Sequence, residues 1–240
     1  MRILNTSRRV LIVGYLLLSV AFAADLSADF VIVGYDSTNP NWEDGDPSPN
    51  LNAAESRFVT PLQLSRGAGV TPNPGITFNS NNWSTVNVVN LSSNKYIQWG
   101  WSASSQALDL TSMTMQYDRS STGPAQLTIA VSINGGGFQS IFTDTSVSPG
   151  DDTNTISLTS FRSVNSATFR LFGFDASAAG GTLDIERFTT APDPSRGIVV
   201  RGDITAVPEP SSFILMTALL MFGLVAVLNK RIARRCFVSA

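Results

Sequence analysis

Between residues 24 and 206 period-two alternation of apolar side chains dominates, and no stripe of helical spacing appears. The clearest case is Gln126 to Asn134. Leu127, Ile129, Val131 and Ile133 fall on one face, and Thr128, Ala130 and Ser132 on the other. Gly135-Gly136-Gly137 permits a reversal into Phe138 to Phe142. Lys95 to Trp101 aligns Ile97, Trp99 and Trp101, and Ser112 to Asp118 aligns Met113, Met115 and Tyr117. Ala167 to Asp175 and Thr182 to Phe188 form a late pair linked by Ala176 to Gly181. Phe30 to Tyr35 is apolar at both parities, as in a strand covered on both faces. Gly197 to Ile204 closes the series.

Short strands separated by Gly, Pro, Asn, Asp and Ser turns predict an all-β, jelly-roll-like β-sandwich over residues 24–190. An edge strand and Pro-containing linker follow over 191–206. Ser37 to Leu51 and Arg66 to Asn82 read as long irregular loops, the usual place for binding residues on a rigid sheet. Asp151-Asp152, after Pro149-Gly150, reads as a turn.

Both ends of the chain are different in kind. Arg2, Arg8 and Arg9 precede the apolar run Val10 to Phe22, and Ala21-Phe22-Ala23 supplies a small-x-small cleavage site. Residues 1–23 therefore read as a signal peptide cleaved after Ala23. At the other end, Phe213 to Leu228 is sixteen residues without a charge. At about 1.5 Å per residue it is roughly 24 Å long, just enough to span when its flanks snorkel. Lys230, Arg231, Arg234 and Arg235 form a cationic membrane stop that favours the cytoplasmic side and places the preceding residues outside. Pro208 and Pro210 hold the approach to the helix extended.

The stretch Val207-Pro208-Glu209-Pro210-Ser211-Ser212, the hydrophobic helix containing Phe222-Gly223-Leu224 and the Arg-rich end together resemble the PEP-CTERM sorting signal, over residues 207–235. The resemblance implies processing near the Pro-Glu-Pro by exosortase, a membrane transpeptidase. It also implies a Gram-negative host that makes exopolysaccharide and biofilm matrix. The implied route runs from an inner-membrane-anchored precursor to the cell surface or extracellular matrix. Within the ectodomain, Lys95-Tyr96-Ile97, Met113-Thr114-Met115-Gln116-Tyr117, Thr168-Phe169-Arg170-Leu171-Phe172-Gly173 and Gly181-Thr182-Leu183-Asp184-Ile185 are similar to galactose-binding-like jelly rolls. That similarity is one of pattern and carries no functional motif.

Composition narrows the chemistry. The chain has 16 basic and 18 acidic residues. Without the signal (three Arg) and the tail (Lys230, three Arg and Glu209), nine basic and seventeen acidic residues remain, a net of −8. Such a domain lacks the basic footprint that nucleic acid requires. No histidine occurs, which removes Ser-His-Asp and Cys-His catalysis and His-based zinc sites. The sole cysteine is Cys236, so the ectodomain has no disulfide.

What remains is a non-enzymatic structural or adhesive role, with polysaccharide as the partner, or a carboxylate-only glycan-active enzyme. A plain single-pass membrane protein that is never processed is the third alternative. Trp42 and Trp83, in or near the irregular segments, are the glycan-stacking candidates. Trp99 and Trp101 share the parity of Ile97 and read as core. Glu43, Asp44 and Asp46 around Gly45 offer oxygen ligands for calcium, without the EF-hand spacing; a solvated turn is the other reading. No other cofactor is expected.

Overall fold

Alternation at the level of single residues becomes two layers in the structure, a computed structural model. It describes residues 29–36, 59–73, 77–103, 106–188 and 196–204, together with Leu220. The strands are β1 (Phe30–Asp36), β2 (Val59–Arg66), β3 (Thr71–Pro72), β4 (Phe78–Asn81), β5 (Ile97–Ala103) and β6 (Leu108–Arg119). They continue as β7 (Pro124–Ile133), β8 (Gln139–Asp144), β9 (Gly150–Ser157), β10 (Ser166–Ala176), β11 (Leu183–Ile185) and β12 (Arg196–Ile204). One sheet has five strands in the order β2-β5-β10-β7-β8. The other has seven, in the order β1-β12-β6-β11-β4-β3 with β9 also on β6. Every pairing is antiparallel. The chain changes sheet after nearly every strand or hairpin, which makes this the expected all-β, jelly-roll-like sandwich.

The register explains an unusual junction in the larger sheet. Met115 lies opposite both Ile198 of β12 and Asn154 of β9, and Tyr117 lies opposite both Ile185 of β11 and Asp152 of β9. β11 and β12 therefore run end to end along one edge of β6, with β9 along the other. They form a single lane that the chain leaves and re-enters; Glu186 N–H still donates to Gln116 C=O (2.9 Å), and Phe188 N–H to Arg196 C=O (2.7 Å).

The core lies between the sheets. Ile97, Trp99 and Trp101 of β5 face Met113, Met115 and Tyr117 of β6 within one buried cluster. Phe169 of β10 stacks on Trp99, its cross-strand neighbour, at 5.8 Å between centroids and 8° between planes. Both indole N–H groups are buried without a hydrogen-bond partner. Tyr35 staples the layers: from β1 its hydroxyl donates to Leu62 C=O (2.7 Å) and accepts from Gly100 N–H (3.0 Å) in the other sheet. β1 is covered on both faces as its composition predicts. Ile32, Val33 and Tyr35 join the main core, while Val31 packs with Val199 and Phe188 outside it.

Four expectations are corrected. Asp151-Asp152 is not a turn but part of β9, which pairs with β6 over eight residues. Arg66 to Asn82 is not one irregular loop; it holds the end of β2, then β3 and β4. β10 and β11 are not a pair, because the 177–182 segment carries the chain from one sheet to the other. β12 is not an edge strand: it lies between β1 and β6. In the first two cases a sparse inward face hides a strand; in the last two the strands are apolar, and which strand pairs with them is set by the topology.

Residues 205–240 form a second unit, of which only Leu220 is described, in helical conformation. Among the described residues no helix is long and apolar enough to cross a membrane. The signal segment 1–23, the motif Val207 to Pro210, the rest of the apolar run 213–228 and the cations Lys230 to Arg235 lie outside the described residues.

Candidate functional site

Two outward faces gather polar and aromatic chemistry, one on each sheet. On the five-stranded sheet, β10 alternates up to Leu171, with Phe169 and Leu171 in the core and Thr168 and Arg170 outward, and Phe172 is buried outside the main core. Arg170 lies opposite Gln98 of β5 and Ala130 of β7. Its Nε donates to Gln98 Oε1 (2.9 Å). Its guanidinium carbon lies 4.0 Å from the Tyr96 ring centroid and 4.1 Å from that of Phe138. The cation is thus in contact with two aromatic rings, and all three side chains are half-buried. Tyr96 in turn meets Phe172 edge-on at 5.8 Å.

Local structure sets up this stack. Asn134 (φ 51°) and Gly135 (φ 75°) occupy the left-handed region at both central positions of the β7–β8 turn, the type I′ geometry. Gly136 N–H closes the turn on Ile133 C=O (2.9 Å). Asn134 Oδ1 accepts from Asn165 and Ser166 N–H (2.7 and 3.0 Å), tying the turn to the start of β10. Phe138 follows directly and is delivered over Arg170. Beside the stack, residues of the 84–95 segment and Phe172, Gly173 and Phe174 line a shallow groove of about 30 Å³, open to solvent. Lys95 secures this crossing, its ammonium donating to Asn82 C=O (2.6 Å) and Trp83 C=O (3.1 Å). Val86 and Val88 stand out from it at 59% and 66% exposure, the most exposed large apolar side chains among the described residues of the sandwich.

On the seven-stranded sheet a row of acids crosses three strands at one register. Asp151 of β9 and Asp184 of β11 both lie directly opposite Asp118 of β6. Like charges in directly opposite positions repel. Glu186 joins them: Asp118, Asp184 and Glu186 bring carboxylate oxygens within 4.8 Å of one another. Burial, then the charges of Glu186 and Asp118, push Asp184 up to about 7, against the Thr77 hydroxyl bond that favours its ionised form. Burial, then Asp151 and Asp118, raise Glu186 as well. This trio offers a hard cation three oxygens, about half of the six to eight that calcium takes. Protonation relieves the same repulsion without an ion.

The sequence candidates fare differently. Trp42, Glu43, Asp44 and Asp46 lie outside the described residues. Trp83 is corrected: it is fully buried, not an exposed stacking platform. Its Nε1 donates to Ser80 C=O (2.9 Å), and its ring closes over Gly173, where an added Cβ would meet Trp83 Cε3 at 2.9 Å. The chain leaving β4 folds this indole into the core through Asn82 in the left-handed region (φ 64°). Trp99 and Trp101 are core, as their parity predicts.

Sequence reasoning did not single out Tyr96, Phe138 and Arg170 as a site. The available signal was Arg170 at an outward position of the apolar run Thr168 to Phe172, and Phe138 directly after three glycines. The acid row had no such signal, because its members are separated by up to 68 positions, from Asp118 to Glu186, and meet only through the register.

No family model matches the chain, and no curated protein does. Among solved structures, the chain is similar to a carbohydrate-binding module of family 29, at 13% identity and a TM-score of 0.32 over 74% of this chain and 86% of that one. A glutamate-to-arginine mutant of such a module matches at 15% identity and a TM-score of 0.32, over 77% of this chain and 99% of that one. An aspartate-to-alanine mutant complexed with mannohexaose matches at 12% and 0.32, over 74% and 89%. At these values the likeness carries no argument about function. The class that the strands themselves define is an antiparallel two-sheet sandwich with a cation–aromatic stack on one outer face and an acid row on the other.

Proposed function

We propose that this is a non-catalytic, structural or adhesive protein of a bacterial surface or extracellular matrix, which holds polysaccharide on the outer face of its five-stranded sheet. The observation that carries this reading is the Tyr96–Arg170–Phe138 stack, half-exposed on a rigid sheet. Sugar rings present C–H faces that pack on aromatic rings and hydroxyls that bond to guanidinium and amide groups. A sheet that fixes those groups in advance lowers the ordering cost of binding. The test is affinity electrophoresis of the full chain in detergent through gels containing the host's matrix polysaccharide. Retardation that falls at least about fivefold on Phe138→Ala, with an unchanged melting midpoint, supports the reading. An unretarded wild type refutes it.

Export and sorting are part of the same proposal. The signal-like residues 1–23 and the PEP-CTERM-like tail 207–235 support a precursor anchored in the inner membrane, then processed by exosortase and delivered to the surface or matrix. A two-tag fractionation in the host tests this, with one tag in the 37–51 segment and one after Ala240. Separation of the tags supports processing. Both tags on one full-length membrane band would make the tail an ordinary anchor.

A second reading, a carboxylate-dependent glycan-active enzyme, has one observation in its favour. Asp184 and Glu186 are close, and both are shifted toward the protonated form, as a general acid would be. Release of reducing ends from matrix polysaccharide, abolished by Asp184→Asn, would establish it over the binding role.

A further inference from the structure

We propose that Arg170 is an acidic-sugar subsite, so that the polymer held on this face bears carboxylates, as a polyuronate does; the inference rests on the glycan-binding reading of the same face. Three other cations among the described residues have their charged ends occupied. Arg119 donates to the carbonyls of Val147, Ser120 and Ser121. Arg162 pairs with Asp109 at 3.0 Å, and Lys95 is spent on Asn82 and Trp83. Arg170 differs. Only its Nε has a protein acceptor, Gln98, and no carboxylate among the described residues pairs with it. Its two terminal nitrogens have no acceptor among the described residues and are not fully buried.

The geometry selects the ligand. The guanidinium carbon lies 4.0 Å from the Tyr96 ring centroid and 4.1 Å from that of Phe138, and Nε is bonded to Gln98, which leaves the Nη edge as the side for a ligand. That edge presents a planar fork of donors, which a carboxylate meets with two coplanar oxygens. A sulfate or phosphate would carry further oxygens out of this plane, toward the electron-rich ring faces. A neutral sugar's hydroxyls can accept from the fork, but only a carboxylate adds a counter-charge. The domain around the site is acidic, at −8, so long-range attraction does not drive a polyanion here. Selection depends on the short-range fork, repeated along a polymer that offers one carboxylate per residue.

Polygalacturonate and its methyl ester provide the test, since they share a backbone and differ in carboxylate charge. The full chain in detergent is titrated with each at about 0.15 M salt, where the Debye length is about 8 Å. The proposal predicts binding to the acid at least about tenfold tighter than to the ester. It predicts that Arg170→Met removes at least about tenfold from acid binding and clearly less from ester binding, so that the preference for acid over ester collapses toward one. Arg170→Lys keeps the charge but not the fork and is expected to fall between; it also serves as the folded control if Arg170→Met lowers the melting midpoint. Equal affinity for acid and ester, or acid binding indifferent to both substitutions, overturns the acidic subsite. If Phe138→Ala still abolishes binding to the ester in that case, the glycan-binding face survives and only its charge selectivity is wrong. No binding to either polymer overturns the subsite, and the host polysaccharide then decides the face itself.

Discussion

Tyr35 shows how much can depend on a single hydroxyl group. It is buried at the seam of the sandwich and bonds two backbone groups of the opposite sheet, Leu62 C=O and Gly100 N–H. Burial raises the pKa of the phenol well above its usual value, so it stays neutral and serves as donor and acceptor at once. Tyr35→Phe keeps the ring and strands both partners. We expect a loss of about 1–3 kcal/mol in chemical denaturation, with no change in slope. Gly100 is constrained more severely: its φ is 153°, and a Cβ there would meet Ala167 C=O at 2.1 Å. Gly100→Ala is expected to lower the melting midpoint by more than Tyr35→Phe does, because β5 and β10 must separate to admit it. Trp99 behaves in the opposite way. Its buried N–H has no partner, so Trp99→Phe removes an unsatisfied donor along with packing. Its cost in the same denaturation experiment should fall below the about 3–5 kcal/mol of a large aromatic truncation such as Phe169→Ala.

Among the elements, β11 carries the clearest pH dependence. The folded pKa of Asp184 is about 7, against an ordinary value of 3.8. Between those values the folded state holds a proton that the unfolded chain has released. Stability contributed by this group is therefore highest below about pH 4, falls as pH rises toward 7, and is flat above. Glu186 has the same sign. Asp184→Asn removes the ionising group, so its stability relative to wild type should increase from pH 4 to pH 8. Urea midpoints in the presence of a chelator measure this; a relative stability that decreases over that range contradicts the account. The elements also show what the sequence could reveal. β5, β6, β7 and β10 were legible because Ile97-Trp99-Trp101, Met113-Met115-Tyr117, Leu127-Ile129-Val131 and Phe169-Leu171 mark an inward face without help from their neighbours. β9 was not, since Ile156 is the one large apolar residue in Gly150–Ser157 and its strand character comes from pairing with β6. β4 carries Phe78 alone, and β12 resembled an edge because nothing in its sequence reveals that β1 returns to cover it.

For the molecule as a whole, the two sheets do different work. The seven-stranded sheet turns outward a row of carboxylates that repel one another, and the five-stranded sheet turns outward aromatic rings stacked around a cation. The candidate site was less legible than the fold. The exposed aromatics that sequence reasoning sought in the loops are represented on the sheet face by Tyr96 and Phe138, and Trp83 turned inward to seal the core. Parity shows which way a strand residue points, but it cannot show that residues 96, 138 and 170 meet. Hydrogen–deuterium exchange of the full chain, with and without the host's matrix polysaccharide, separates the faces most directly. The account predicts new protection in β5, in β10 and around the 134–138 turn, with β6, β9 and β11 unchanged. Protection centred on β6, β9 and β11 would put the working surface on the acid row and contradict it.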